Sequence, residues 1–382
     1  MEIAIVSFPL GEAGGTPLLN LTSLLKEIAS KTFLISGGDA LKNLTVLKNI
    51  FILKVEHKQS SNVILRIFNF FHTDLKILCK AASIHKNVDF FVFFIGGETL
   101  PFSMMGLKLL KKKVLLTPGG IATKGYLVRG DPLAKLVSLL TNLNLYLADK
   151  IILYSHRLIV VANWSKWQFK TLICHEHFVD LYRFKIIKEF DNRENTVGYI
   201  GRFSKEKGIL NFVQAMQFLL KEKSSIQFLL CGSGELLREV KKSIKKENLG
   251  TNVKLRDWIP HEKIPELLNE LKLLILPSYI EGLPNIMLEA MACGTPVLAT
   301  PVGAIPDIIK DGETGFLLRS NDPKHIADKI IELLNKPELL EKVSTNAYKY
   351  VRENFSYEKT VQAWQKILKE LEHDQYAHGK ME

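Results

Sequence analysis

At 382 residues, 47% of them hydrophobic and 24% charged, the chain is long enough for two or more domains, each with its own core. No apolar run reaches the length of a membrane span, and the first residues read as a strand with no signal-peptide pattern, which argues against an integral membrane or exported protein. The formal net charge of +11 is one-sided: residues 1–190 hold 24 Lys and Arg against 13 Asp and Glu, and the remainder holds 27 of each. That asymmetry points to an anionic partner for the first half, or to a basic surface that only keeps it soluble.

Glu2 to Phe8 reads as a buried strand. The loop through Gly14 and Gly15 follows, then a helix from Leu18 to Ala29, with Thr16 as its cap and Pro17 at its opening. A glycine pair at a strand-to-helix turn either lets backbone approach a ligand or meets a need for positive φ. Further strands are expected at Thr32–Ser36, Ile50–Val55, Val88–Ile95 and Val114–Thr117, with helical patterns between several of them. This alternation predicts a parallel sheet with helices on both faces and ligands at the carboxyl ends of its strands. Gly14-Gly15, Gly96-Gly97-Glu98 and Pro118-Gly119-Gly120 all fall at such ends.

Leu133–Leu147 reads as a helix, Ile151–Leu153 and Leu158–Val161 as strands, and the stretch with Lys166 and Lys170 as a helix. His175 and His177 share a face if extended and, with Asp180, offer metal-ligand chemistry or plain hydrogen bonding. Cys79, Cys174, Cys231 and Cys293 are scattered, with no C-x-x-C. They suggest reduced thiols in a cytoplasm. The polar, aperiodic run from Glu189 to Asn195 reads as a linker.

A second strand-helix series begins at Val197. Gly201-Arg202-Phe203-Ser204-Lys205-Glu206-Lys207-Gly208 lies between its first strand and the helix Ile209–Leu220. Arg202 offers a planar fork of donors and Lys207 a mobile point charge, the chemistry of a phosphate clamp. Gly232 ends the next strand, and Ile259 lies in the loop after the one following. Leu271–Leu276 is a buried strand that leads to Glu281, Gly282, Leu283, Pro284 and Asn285, then to a helix containing Glu289 and closed by Gly294. Amides at this helix start suit a phosphate. The two carboxylates, eight positions apart, suit sugar hydroxyls. Together they read as a grip on a sugar nucleotide.

Glu281 to Glu289, set in P-S-x-x-E-G-L-P-N and followed by Gly294-Thr295-Pro296-Val297 and Gly312-Glu313-Thr314-Gly315-Phe316, resembles the E-x7-E motif of retaining glycosyltransferases of family 4. Gly201 to Gly208 resembles that family's G-R-x-x-x-x-K-G. The resemblance is strong from about Val197 to Leu318 and partial before that. It implies the GT-B fold: α/β, two Rossmann-like domains facing across a cleft. The expected domains are 1–190 on the acceptor side, 191–355 for the nucleotide sugar, and 356–382 as a helix crossing back with a polar tail. It implies Arg202, Lys207 and Glu281 as the catalytic set. The implied donor contacts are Gly14, Gly15, Arg202, Lys207, Gly232, Ile259, Glu281, Gly282, Leu283, Pro284, Asn285 and Glu289. One departure stands out: many members carry a histidine at about Gly119.

The expected function is therefore sugar transfer from a nucleotide-diphosphate sugar, with retention, to a glycan or lipid-linked acceptor. No cofactor, no metal and no nucleic-acid partner are expected. The alternatives are a sugar-nucleotide epimerase or phosphorylase on the same fold, or a non-catalytic sugar-nucleotide or polyanion binder. The expected location is cytoplasmic, with an anionic membrane surface as a candidate partner. Arg66 to His72, Lys111-Lys112-Lys113 and Leu133–Leu147 are the segments that suit one.

Overall fold

The run Phe90–Phe94 is buried at every position, as a parallel strand covered on both faces must be. It sits in the first of two parallel sheets in a computed structural model. The structure describes the chain except residues 12–13, 120, 122, 124–125, 128–129 and 379–382, with backbone alone at 43, 45–46 and 373–378. Gly120 and part of the loop before Gly14 therefore lie outside the described residues.

The first sheet contains β1 (Glu2–Ser7), β2 (Lys31–Ser36), β3 (Ile50–Lys54), β4 (Phe90–Phe94), β5 (Lys113–Thr117), β6 (Lys150–Leu153) and β7 (Thr171–Ile173). Its order is β3-β2-β1-β4-β5-β6-β7. The second contains β8 (Thr196–Ile200), β9 (Gln227–Cys231), β10 (Val253–Arg256), β11 (Leu273–Leu276), β12 (Val297–Ala299) and β13 (Phe316–Leu317), in the order β10-β9-β8-β11-β12-β13. In each sheet the winding reverses once, between β1 and β4 and between β8 and β11. Open α/β sheets bind ligands at that reversal, outside the carboxyl ends of the strands.

The chain divides into two units, Met1–Phe178 with the segment from Tyr357 onward, and Val179–Ser356. The sequence placed the first boundary at 190/191. Residues 179–190 instead go with the second unit, and the Glu189–Asn195 run is not a free linker. Phe190 is buried in the second unit's core, and the buried Arg193 guanidinium donates to the carbonyls of Lys188, Leu271 and Cys293 and to Thr295 Oγ1. The run is polar because it carries internal hydrogen bonds, not because it is solvated. In the first unit, the helix Tyr357–His378 packs through fully buried Trp364, whose Nε1 donates to His175 O at 2.9 Å. Its backbone continues past His373, where a tail was expected.

Two local expectations fail. The helix after β1 spans Gly15–Ile28, with Gly14 at its N-cap and no side-chain cap, so Thr16 lies inside it. Gly14 has φ −83 and needs no left-handed backbone. The β-branched run Leu158–Val161, read as a strand, belongs to a short helix, His156–Val161. Ser155 Oγ accepts from Arg157 N at 3.0 Å, and this cap outweighs the strand propensity. Among the described residues no helix is long and apolar enough to cross a membrane.

Candidate active site

The second unit's reversal point is built by two loops pressed together. Gly208, at the end of the loop after β8, has φ +66, and a Cβ there would stand 2.0 Å from Pro277 O at the end of β11. Only glycine permits this approach. It sets Lys207 Nζ 2.7 Å from both Glu281 carboxylate oxygens. Ser278 Oγ donates to Glu281 Oε1 at 2.7 Å, and Ser278 O accepts from Thr300. The Glu281 side chain is 7% exposed and that of Lys207 22%. Ammonium and hydroxyl donors thus surround this enclosed carboxylate.

Arg202 stands in the same loop with its side chain exposed, its Nη2 3.5 Å from Glu206 Oε1. Tyr199 OH donates to Arg202 O at 2.6 Å and fixes the loop's backbone. Burial pushes this phenol up, and Glu281 adds to the effect. Burial acts to raise Glu206, but its own amide, Ser204, Arg202 and Lys207 together hold it below the usual carboxylate range. The loops are also tied by Tyr279 N donating to Glu206 O (2.8 Å) and Asn211 Nδ2 to Tyr279 OH (2.8 Å).

The helix after β11 spans Asn285–Ala292, with Pro284 as its N-cap and no side-chain cap. Pro284 thus precedes the first turn instead of opening it. Gly282 and Leu283 form the approach, and a Cβ on Gly303 (φ +59) would lie 2.3 Å from Glu281 O and 2.5 Å from Gly282 O. Glu289, inside the helix, accepts from or pairs with His261 Nε2 at 2.7 Å. The Glu289 hydrogen bond raises the imidazole's pKa, and burial opposes it.

Arg202, Lys207 and Glu281 are thus brought together, and the Gly282–Asn285 loop adjoins Glu281 in sequence. Gly232 lies at the end of β9, its amide donating to Arg256 O, and half-buried Ile259 follows β10. Both are on the carboxyl edge of the same sheet. Gly14 and Gly15 belong to the first unit, at the carboxyl end of β1. Sequence reasoning gave no role to Ser278, Glu206, His261 or Gly303. Arg202 and Glu206 stand only four residues apart in one loop, whereas the pairing of His261 with Glu289, 28 residues apart, left no signal.

In the first unit, a cavity of about 330 Å³ lies at the β1/β4 reversal, lined by Phe8, His57, Arg66, Phe70, Thr99 and Tyr126 among others. His175 and His177 have ring centroids 6.3 Å apart. Burial drives the His175 imidazole down to about 4, with His177 adding to the effect. Among the described residues no group of three or more His, Cys, Asp or Glu is arranged to hold a metal.

Residues 183–350 match the family described as Glycosyl transferases group 1. An uncharacterised glycosyltransferase of Methanocaldococcus jannaschii is 30% identical over 45% of this chain, which spans about half of that relative's length (47%). The N-acetyl-alpha-D-glucosaminyl L-malate synthase of Bacillus anthracis is 24% identical over 98% of both chains. In fold, the chain resembles a sucrose-phosphate synthase of Thermosynechococcus elongatus, with TM-score 0.79, 21% identity, and coverage of 98% of this chain and 100% of the other. It also resembles the HepE protein of Anabaena solved with UDP-glucose, with TM-score 0.78, 17% identity, and coverage of 97% and 100%. The shared fold is GT-B. By the sequence match over residues 183–350 and by fold, the chain is similar to the group 1 glycosyltransferases.

Proposed function

We propose that the protein is a retaining glycosyltransferase of family 4, moving a sugar from a nucleoside-diphosphate sugar to a glycan or lipid-linked acceptor. The observation that carries this reading is the Lys207–Glu281 pair at the sheet's reversal point, with exposed Arg202 beside it and a helix start following it. A departing diphosphate needs its developing charge met by fixed cations and amides, and these groups supply both. In this reading Arg202 and Lys207 clamp the diphosphate, and the amides of Gly282, Leu283 and Asn285 assist them. Glu281 then faces the sugar and Glu289 the ribose. Gly232, Ile259, Gly14 and Gly15 keep the donor contacts that the family resemblance implies.

The anomeric carbon's bond to the phosphate oxygen breaks, and its bond to the acceptor oxygen forms on the same face. The acceptor proton passes to the departing phosphate. No protein nucleophile is assigned, and no metal is required of the clamp. The location we favour is the cytoplasm, at the inner face of the membrane.

HepE was solved with UDP and with UDP-glucose, and the Bacillus relative carries N-acetylglucosaminyl in its name. UDP-glucose and UDP-N-acetylglucosamine therefore head a panel of sugar nucleotides to be screened by thermal shift, since a ligand of the folded state raises the melting temperature. The hit is then incubated with and without acceptors. A donor that raises the melting temperature and gives up its sugar only with an acceptor supports transfer. Nucleotide released without any acceptor would point to an epimerase, and a panel with no stabilising member would sink the donor site.

A further inference from the structure

We propose that the outer face of three packed helices in the first unit, Val63–Ile84, Pro101–Leu109 and Ala134–Leu147, docks on an anionic lipid bilayer. This deepens the membrane part of the reading above by naming the surface. The Pro101–Leu109 helix packs against both others. Phe71 and Phe102 meet across one seam as tilted rings with centroids 5.3 Å apart, and Asp74 accepts from the amides of Phe102 and Ser103.

Each helix buries one side and still presents large apolar residues to solvent at helical spacing. Ile64 is 77% and Phe68 66% exposed; Met105 and Leu109 follow on the second helix, Leu109 at 83%; Leu139 and Tyr146 on the third stand at 66% and 67%. Single exposed apolar residues need no explanation, but matching stripes on three neighbouring helices make a patch, and patches mark interaction surfaces.

Charge selects the occupant. Residues 63–84, 101–113 and 134–147 hold eight Lys and Arg and a single acid, Asp74. Asp74 is fully buried, so the face offers no carboxylate of its own to solvent. Two of the bases are tied to acids elsewhere, Arg66 to Asp131 and Lys108 to Asp149. Of the lysine run, Lys111 is exposed, whereas Lys112 donates to Val88 O and Lys113 opens β5. Lys111 and Lys135 are thus exposed cations among exposed apolar side chains. That combination suits acyl chains below and anionic headgroups around. A protein partner would match the apolar stripes equally well, but would not call for a face cleared of acids.

The test is sedimentation of the full chain with vesicles containing 30% phosphatidylglycerol, or phosphatidylcholine alone, at 50 and 500 mM salt. Binding is expected to the anionic vesicles at low salt and to fall at high salt. Each exposed base contributes about fivefold in partitioning, so Lys111→Glu with Lys135→Glu should weaken binding more than tenfold. Phe68→Glu, Leu109→Glu and Leu139→Glu together should abolish it, with the melting temperature unchanged because all three side chains are already exposed. A wild-type chain left in the supernatant with anionic vesicles at low salt overturns the proposal. So do variants that bind like wild type, or a wild-type dimer in the ultracentrifuge that the triple variant dissolves, which would make a second copy the occupant. The thermal shift with sugar nucleotides, run on the same variants, keeps failure of this surface distinct from failure of the donor site.

Discussion

Lys207 Nζ sits 2.7 Å from each carboxylate oxygen of Glu281, so the cation assigned to the diphosphate is already held by the acid assigned to the sugar. Removing one partner strands the other. Lys207→Met leaves an enclosed carboxylate with Ser278 as its remaining side-chain donor. A fully buried pair broken this way costs roughly 3–5 kcal/mol, and the partial exposure of Lys207 reduces that to about 2 kcal/mol. The double variant Lys207→Met, Glu281→Gln removes both charges and should recover most of the stability. Its transfer rate should stay down by about a hundredfold or more, as for other lost transition-state charge contacts. Urea titration and turnover measured on the same three proteins separate a structural pair from a functional one. Activity returning along with stability in the double variant would reject the clamp.

His261 and Glu289 are expected to make the Asn285–Ala292 helix sensitive to pH. In the unfolded chain the imidazole titrates near 6.5, and the bond to Glu289 raises it in the folded chain. The stabilisation is therefore fully present below about pH 6.5 and is lost as pH rises through the folded value. The melting temperature of wild type should exceed that of Glu289→Gln most clearly near pH 6, and the gap should narrow as the solution becomes alkaline. A gap that stays constant from pH 6 to 9 would show that the pair contributes no proton-linked stability.

Arg202 and Lys207 also bear on metal dependence. Arg202 is exposed, and Glu206 lies 3.5 Å from its guanidinium, so the fork is free to turn to a diphosphate while remaining oriented. Two cations at the leaving group can do the work that a divalent ion does elsewhere. Transfer should proceed unchanged in EDTA, and Arg202→Ala should lower it by orders of magnitude with the fold intact. Activity lost in EDTA and restored by magnesium or manganese would show that the two cations do not suffice.

The parallel sheets were legible because alternating apolar runs and amphipathic stretches leave few other arrangements. Phe90–Phe94 and Leu273–Leu276 could hardly be anything but buried strands. The loops that bring Lys207 to Glu281 were legible because Arg202, Lys207 and Glu281 each carry a charge beside a glycine. What sequence could not show were interactions that polar residues make at a distance. Arg193 looked like part of a solvated linker, yet its guanidinium is buried across carbonyls 78 and 100 residues away. His261 had no local feature that pointed to Glu289. Leu158–Val161 failed for another reason: one capping hydroxyl on Ser155 decided between two conformations that the side chains alone left close.

Gly303 is the residue whose importance only the coordinates reveal. It carries no functional atom, yet any Cβ at this position would press on the Glu281 and Gly282 carbonyls, and its φ of +59 belongs to the left-handed region. In Gly303→Ala the new methyl would lie 2.3 Å from Glu281 O and 2.5 Å from Gly282 O. No side-chain rotation relieves contacts with backbone, so the loop or residue 303 must shift. The left-handed backbone adds about 1–2 kcal/mol for any non-glycine residue. Ala304 N also donates to Gly282 O at 2.9 Å, so the shift reaches the turn that leads into the Asn285–Ala292 helix. The strain is local and the second unit's core lies elsewhere, so the variant should fold, with a melting temperature several degrees lower. A displacement of about 1 Å near a reacting group can cost a hundredfold in rate. The stabilisation by sugar nucleotides expected of wild type should therefore shrink or vanish in Gly303→Ala, with Lys207 and Glu281 both intact. A variant that binds and turns over donor normally would mean that this loop tolerates displacement, and that its backbone is not part of the donor grip.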